Sequence, residues 1–257
     1  FIDDNSVNEV LSSPYCRLNF FSVLSKGFAQ NDNPLILASY IAAAAAANLI
    51  DRKNIRHFFT RTLFHHPSAK PPFYDIDSVG GKDHFPMLKV SLTPENLKKA
   101  LTSSGSIPLV MPGVTGIAQA PQGVYRDGGT IDYHLDIPFL GSSDNYDSKD
   151  KIVLFPHYTD RIIPGWLDKK VGWRQPYHEK FRNVLIITPT KQFTKMLPGG
   201  KIPDRQDFAD FKGKNRERIQ RWKIAIKHSE ILGDELCKTF YSGSLPDIIE
   251  PIEKIIS

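Results

Sequence analysis

Apolar clusters dominate the first third of the chain, and their spacing predicts helices. "DDNSVNEVLSS" offers caps ahead of a short apolar pattern, and "CRLNFFSVLSKGF" follows Pro14 as a second helical stretch. Residues 34–50, "PLILASYIAAAAAANLI", carry no charge. A membrane span needs about 20 predominantly apolar residues, and alanine contributes little to insertion. The run therefore reads as a buried helix whose small side chains permit close packing. "DRKNIRHFFTRTLF" predicts one more helix, with a basic outer face.

Residues 65–85 are rich in Pro, Gly and polar positions and read as a long loop, which leaves His65 and His66 at the surface. "FPMLKVSL" predicts a strand. "TPENLKKALTSSG" predicts a helix capped by Thr93, with Pro94 in its first turn and Gly105 at its end. In "GVYRDGGTIDYHLDIPF", Ile131, Tyr133, Leu135 and Ile137 alternate with polar residues, the pattern of a half-buried strand. The two glycines before it free the backbone to bend or to approach another group closely. "KIVLFPH" and "NVLIITP" predict buried strands, and the last fifty residues are mainly helical. Mixed helix and strand segments without a repeat or linker define an α/β class.

The 257 residues fit one large domain or two small ones and suffice for a sizeable core, and 40% hydrophobic with 24% charged content is ordinary for a globular chain, so disorder is not the default. A net charge of +5 favours anionic surfaces without specifying one. Cys16 and Cys237 supply neither a disulfide framework nor a metal spacing, which fits a reducing compartment. The expected location is cytoplasmic or peripheral to a membrane, with export left open. The opening "FIDDNSVNEV" has no initiator Met and no leader, so the expectation is the C-terminal part of a longer product.

Two motifs in order carry a specific resemblance. The helix "NLKKALTSS" runs into Gly105, Ser106, Ile107 and Pro108, and a loop leads from there to Asp127, Gly128 and Gly129. This order resembles the later half of the patatin-like phospholipase family. Pro138 stands where that family tends to place a proline, while the family's Asn is not matched beside His134 and Asp136. The resemblance covers residues 94–138.

It implies a patatin-like three-layer α/β/α domain. Residues 1–257 form one domain in this reading: roughly 1–190 supply its C-terminal portion and 191–257 a helical extension. It also implies hydrolysis of a phospholipid or other lipid ester by a Ser-Asp dyad. Asp127 is then the base and Gly128 and Gly129 shape its loop. No cofactor is implied. The family's Gly-x-Ser-x-Gly elbow, whose glycines relieve a strained strand-to-helix turn, does not occur in this chain. Ser78 in "IDSVGG" is the weaker candidate nucleophile within the chain, with only half of that bracket, and Ser104 and Ser106 have none. The nucleophile is therefore expected upstream, in a missing N-terminal portion of the same protein. The alternative is a catalytically inactive membrane-surface or protein-binding module of the same fold.

Two further patterns carry candidate chemistry. Asp132, His134 and Asp136 would share one face of a strand, with His157 and Asp160 nearby. Cα atoms two apart along a strand are separated by about 6.6 Å, so three ligands could hardly meet one ion. A solvated polar face is the simpler reading and no metal is expected. "FKGKNRERIQRWKIAIKH" sets Ile219, Trp222 and Ile226 opposite a basic face. Arg218, Arg221, Trp222 and Lys223 are its candidates for binding an anionic membrane surface. Walker, dinucleotide-binding and RNA-binding signatures are absent, which gives no ground for a nucleic-acid partner.

Overall fold

Phe20, Ser22 and Leu24 face one side of strand β1 (Phe20–Ser25), and Phe21, Val23 and Ser25 face the other. Both sides are largely apolar, so both need cover. In the computed structural model, residues 2–76, 85–141 and 151–252 are described, apart from 160, 175, 177 and 205. The chain divides into two units, Phe1–Lys151 with Ile162–Asn183, and Ile152–Arg161 with Val184–Ser257. Residues 152–161 and 184–190 fall in the second unit with the C-terminal helices.

In the first unit the sheet runs in the order β3-β2-β1-β4. Its strands are β1, β2 (Phe59–His65), β3 (Met87–Ser91) and β4 (Tyr125–Asp127). β1 is antiparallel to β2 and to β4, whereas β2 and β3 are parallel. The unit is thus mixed α/β with a mixed sheet. Helix α1 (Asp4–Ser12) begins where expected, with the Asp3 side chain accepting from the Ser6 N–H at 2.7 Å. Helix α3 (Leu97–Ser104) ends at Gly105, as its sequence announces. It starts later than predicted, with Asn96 at the cap position and residues 94–96 in a turn. Asn96 reaches back to the Thr93 N–H at 2.8 Å.

Two expected helices are strands. "CRLNFFSVLSKGF" contains β1, and "DRKNIRHFFTRTLF" supplies a 3₁₀ turn (Arg52–His57) followed by β2. The register from Phe20↔Phe64 to Ser25↔Phe59 satisfies both backbones at once. That pairing, invisible in either segment alone, overrides helical spacing. The expected basic outer face is formed only in part: Arg56 and His57 are exposed, but Arg52 and Arg61 are buried.

Helix α2 (Pro34–Ile50) is capped by Asn33, whose side chain accepts from the N–H groups of Leu35 and Ile36. It is not buried all round. Leu37, Ile41, Ala44 and Asn48 form the covered stripe, and Leu35, Leu49 and Ile50 are exposed. The stripe packs on Val23, Ile55 and Phe59, on the β1 face that carries Val23. Burying Leu37 and Ile41 contributes on the order of 2 kcal/mol each. Phe64, Val90 and Tyr125, on the opposite face, pack against Val7 of α1 and Leu97 and Ala100 of α3. The sheet therefore carries helices on both sides. Among the described residues no helix is long and apolar enough to cross a membrane.

The second unit contains parallel strands β5 (Val153–Pro156) and β6 (Val184–Ile187), then α4 (Lys191–Met196), α5 (Gln206–Asp210), α6 (Asn215–Ser242) and α7 (Leu245–Ile248). Both strands lie where predicted but neither is buried: β6 is half-covered and Leu154 of β5 is exposed. The core of this unit is Phe193, Leu197 and Ala225 with Ile202 and Leu232 against it. α6 ends at Gly243, which adopts φ +73 and so suits a left-handed C-cap.

Candidate functional site

Asp127 is the last residue of β4, half-buried, at the point where the chain turns into a short 3₁₀ helix (Gly128–Thr130). Its Oδ1 accepts the Gly129 N–H at 2.8 Å, and its own N–H donates to the Ser106 carbonyl at 3.0 Å. The Asp-Gly-Gly loop and the Ser-Ile-Pro turn, separated along the chain, are thus in direct contact. Ser22 lies opposite Asp127 in the β1–β4 register, so both side chains stand on the face covered by α3.

The two glycines serve close approach, and neither has a positive φ. A Cβ on Gly128 would lie 2.4 Å from the Phe21 carbonyl oxygen, and one on Gly129 would lie 3.1 Å from Asp127 Oδ1. The first obstacle is backbone and cannot yield; the second is a side chain that can. Gly128→Ala is therefore expected to cost about 1–3 kcal/mol by overpacking, and Gly129→Ala less. Urea unfolding of the two variants checks the order.

Hydroxyl groups surround this loop. Ser22 Oγ and Ser103 Oγ are 2.6 Å apart, and Ser103 Oγ donates to the Ala100 carbonyl at 2.6 Å. Ser104 Oγ donates to the Phe21 carbonyl and Ser106 Oγ to the Thr102 carbonyl. Each is already engaged with a protein acceptor. Ser78 lies outside the described residues, as does Asp160.

The predicted strand after the glycines is not formed. The Ile131 and Asp132 N–H groups both return to the Gly128 carbonyl, and Leu135 adopts φ +48. This coiling is incompatible with an extended ladder. The polar positions are also not solvated: Asp132, His134 and Asp136 are buried with Ile131 and Ile137. Asp132 receives two bonds from Arg61, from Nε at 2.6 Å and from Nη2 at 2.5 Å. His134 Nδ1 accepts the Ile163 N–H at 2.8 Å, so a neutral His134 carries its ring proton on Nε2. Asp136 faces Lys180 at 3.2 Å. Among the described residues no group of three His, Cys, Asp or Glu is placed to hold a metal ion.

Two other anchors are barely announced in the sequence. Asn48, a lone amide inside an alanine helix, donates to Asp168 at 2.7 Å; Arg174 donates to both. Arg52 lies 3.4 Å from the same Asp168 and donates to the Ile131 carbonyl at 2.7 Å. A polar residue on the apolar stripe of α2 was the available signal. His66, expected at the surface, is buried and His65 half-buried. His66 Nε2 lies 3.2 Å from the Val10 carbonyl and so carries the proton, while Nδ1 accepts the Ser68 N–H.

In the second unit, three of the four candidate membrane residues already have contacts. Trp222 Nε1 donates to Asp207 Oδ2 at 2.8 Å, and its ring meets Phe208 edge-on. Arg218 lies over both rings. Arg221 pairs with Glu217 at 3.4 Å and lies over Phe211. Lys223 is exposed. Lys201, 2.7 Å from Asp207, leads the interactions that hold this carboxyl below its ordinary 3.8. A lowered folded-state value stabilises the fold at neutral pH, and the gain is lost as pH falls through that value. Urea midpoints of wild type should therefore fall more steeply in acid than those of Asp207→Asn.

Comparison of the chain with protein-family models, with curated proteins and with solved structures gave no match.

Proposed function

We propose that the protein is a lipid acyl hydrolase of patatin-like type, with Asp127 as the base of a Ser-Asp dyad. The observation that carries this reading is the 3.0 Å bond from the Asp127 N–H to the Ser106 carbonyl. It seats a half-buried carboxylate on the turn that the resemblance pairs with it. A serine hydroxyl is a weak nucleophile until a positioned base takes its proton. In this reading the serine oxygen attacks the ester carbonyl of a phospholipid or related lipid while Asp127 accepts the proton. The alcohol leaves with that proton and an acyl-serine remains. Water then attacks the acyl group and gives its proton to Asp127, which passes it to the serine oxygen as the acyl–serine bond breaks and the fatty acid leaves. The serine of this reading lies outside residues 1–257, in which no Gly-x-Ser-x-Gly occurs.

A second reading, a non-catalytic binding module, draws on the serines around Asp127. Ser22, Ser103, Ser104 and Ser106 all spend their hydroxyl groups on neighbouring acceptors. Hydrolysis of a short-chain nitrophenyl ester separates the two. The dyad predicts turnover by the gene product extended upstream of Phe1 and none by the 257-residue chain, because losing the nucleophile costs orders of magnitude in rate. An extended product without ester turnover leaves the binding module in its place.

A further inference from the structure

Two segments beside the candidate base put large apolar side chains into solvent. Phe28, Leu35 and Ile36 come from residues 28–36, and Leu109, Val110 and Met111 from the loop after Pro108; Leu35 is 80% and Val110 67% exposed. The segments are bound to one another. Asp32 Oδ1 accepts the Gly113 N–H at 3.2 Å, and Arg126 donates to the same oxygen at 2.6 Å and to the Ala29 carbonyl. The second segment starts at the candidate site, since the Ser106 carbonyl that accepts the Asp127 N–H stands three residues before Leu109. Leu109 holds φ +67, a left-handed conformation that favours glycine, yet presents a leucine to water.

Charge identifies the occupant. Residues 33–50 and 105–125 contain no ionisable acid or base except Tyr40 and Tyr125. The charges nearby are directed elsewhere: Asp32 is matched by Arg126, Lys99 caps the carbonyls of Thr115 and Gly116, and Lys26 that of Arg56. We propose that these two segments rest on a neutral, zwitterionic phospholipid surface, with their apolar side chains entering the headgroup boundary and Asp127 held beside it. The purpose of this face rests on the hydrolase reading, but its affinity for lipid does not.

Flotation of the 257-residue chain with vesicles of ether-linked phosphatidylcholine tests it, since these lipids offer no ester to cleave. The chain is expected to float with the vesicles equally at low and high salt, because apolar insertion is not screened. Leu35→Asp and Val110→Asp should each reduce the bound fraction about tenfold while leaving thermal unfolding unchanged, both side chains being exposed. Absence of flotation overturns the proposal. So does flotation confined to anionic vesicles and abolished by salt, which would point to the basic helix α6. A dimer in solution that Val110→Asp dissociates would assign the surface to a second copy of the chain and also overturn it. Lipid binding without ester turnover in the extended product would instead count against the hydrolase reading alone.

Discussion

Asp127→Asn is expected to reduce ester hydrolysis by the upstream-extended product about a hundred- to ten-thousandfold, the usual contribution of a positioned general base. The fold should not register the change. Asp127 caps the turn at Gly128 by accepting the Gly129 N–H at 2.8 Å, and the amide oxygen of Asn accepts the same bond at almost the same volume. The capacity to take a proton is lost. Steady-state turnover of a nitrophenyl ester beside a thermal melt reads both quantities on one sample. A variant that keeps turnover within tenfold of wild type removes Asp127 from the dyad. A variant that loses activity together with its melting transition would show a structural role.

The largest expected effect on stability is at Arg61 and Asp132. Both side chains are buried, and the guanidinium holds the carboxylate through two bonds while lying 5.2 Å from the centre of the Phe85 ring. Removing one member leaves the other charge in the interior without its partner, which costs about 3–5 kcal/mol in comparable buried pairs. Arg61→Leu and Asp132→Leu should each destabilise the first unit by that order. The double variant Arg61→Leu/Asp132→Leu should recover most of the loss, because no uncompensated charge remains. Urea unfolding of the four proteins closes the cycle. Equal and additive losses would show that the two charges do not interact. Since Asp132 lies in the coil that follows Asp127, the pair also fixes where the candidate base stands.

A candidate site of this kind is only half legible in a sequence. The ordered pair of motifs singled out Asp127, and the glycines after it announced a close approach. The approach itself, of Gly128 to the Phe21 carbonyl, involves a residue more than a hundred positions away. The buried roles of Asp132, His134 and Asp136 were not readable either. Their partners, Arg61, the Ile163 N–H and Lys180, come from separate parts of the chain, and an alternating pattern looks the same whether its polar half faces water or a buried cation.

What the chain determined by itself was local. Asp3 and Asn33 start α1 and α2 by accepting N–H groups two or three residues on, Gly105 ends α3, and Met87–Ser91 extends as its composition suggests. Such choices depend on neighbours within a turn or two, which the sequence displays directly. Tertiary structure decided that residues 20–25 and 59–65 are strands and not helices, because each supplies the other's hydrogen bonds. It also decided that only one stripe of α2 is covered, and that Arg52 and Arg61 lie inside. A backbone group or a charge must find a partner somewhere once water is excluded. Where that partner lies depends on the whole chain, and no stretch of a dozen residues contains the answer.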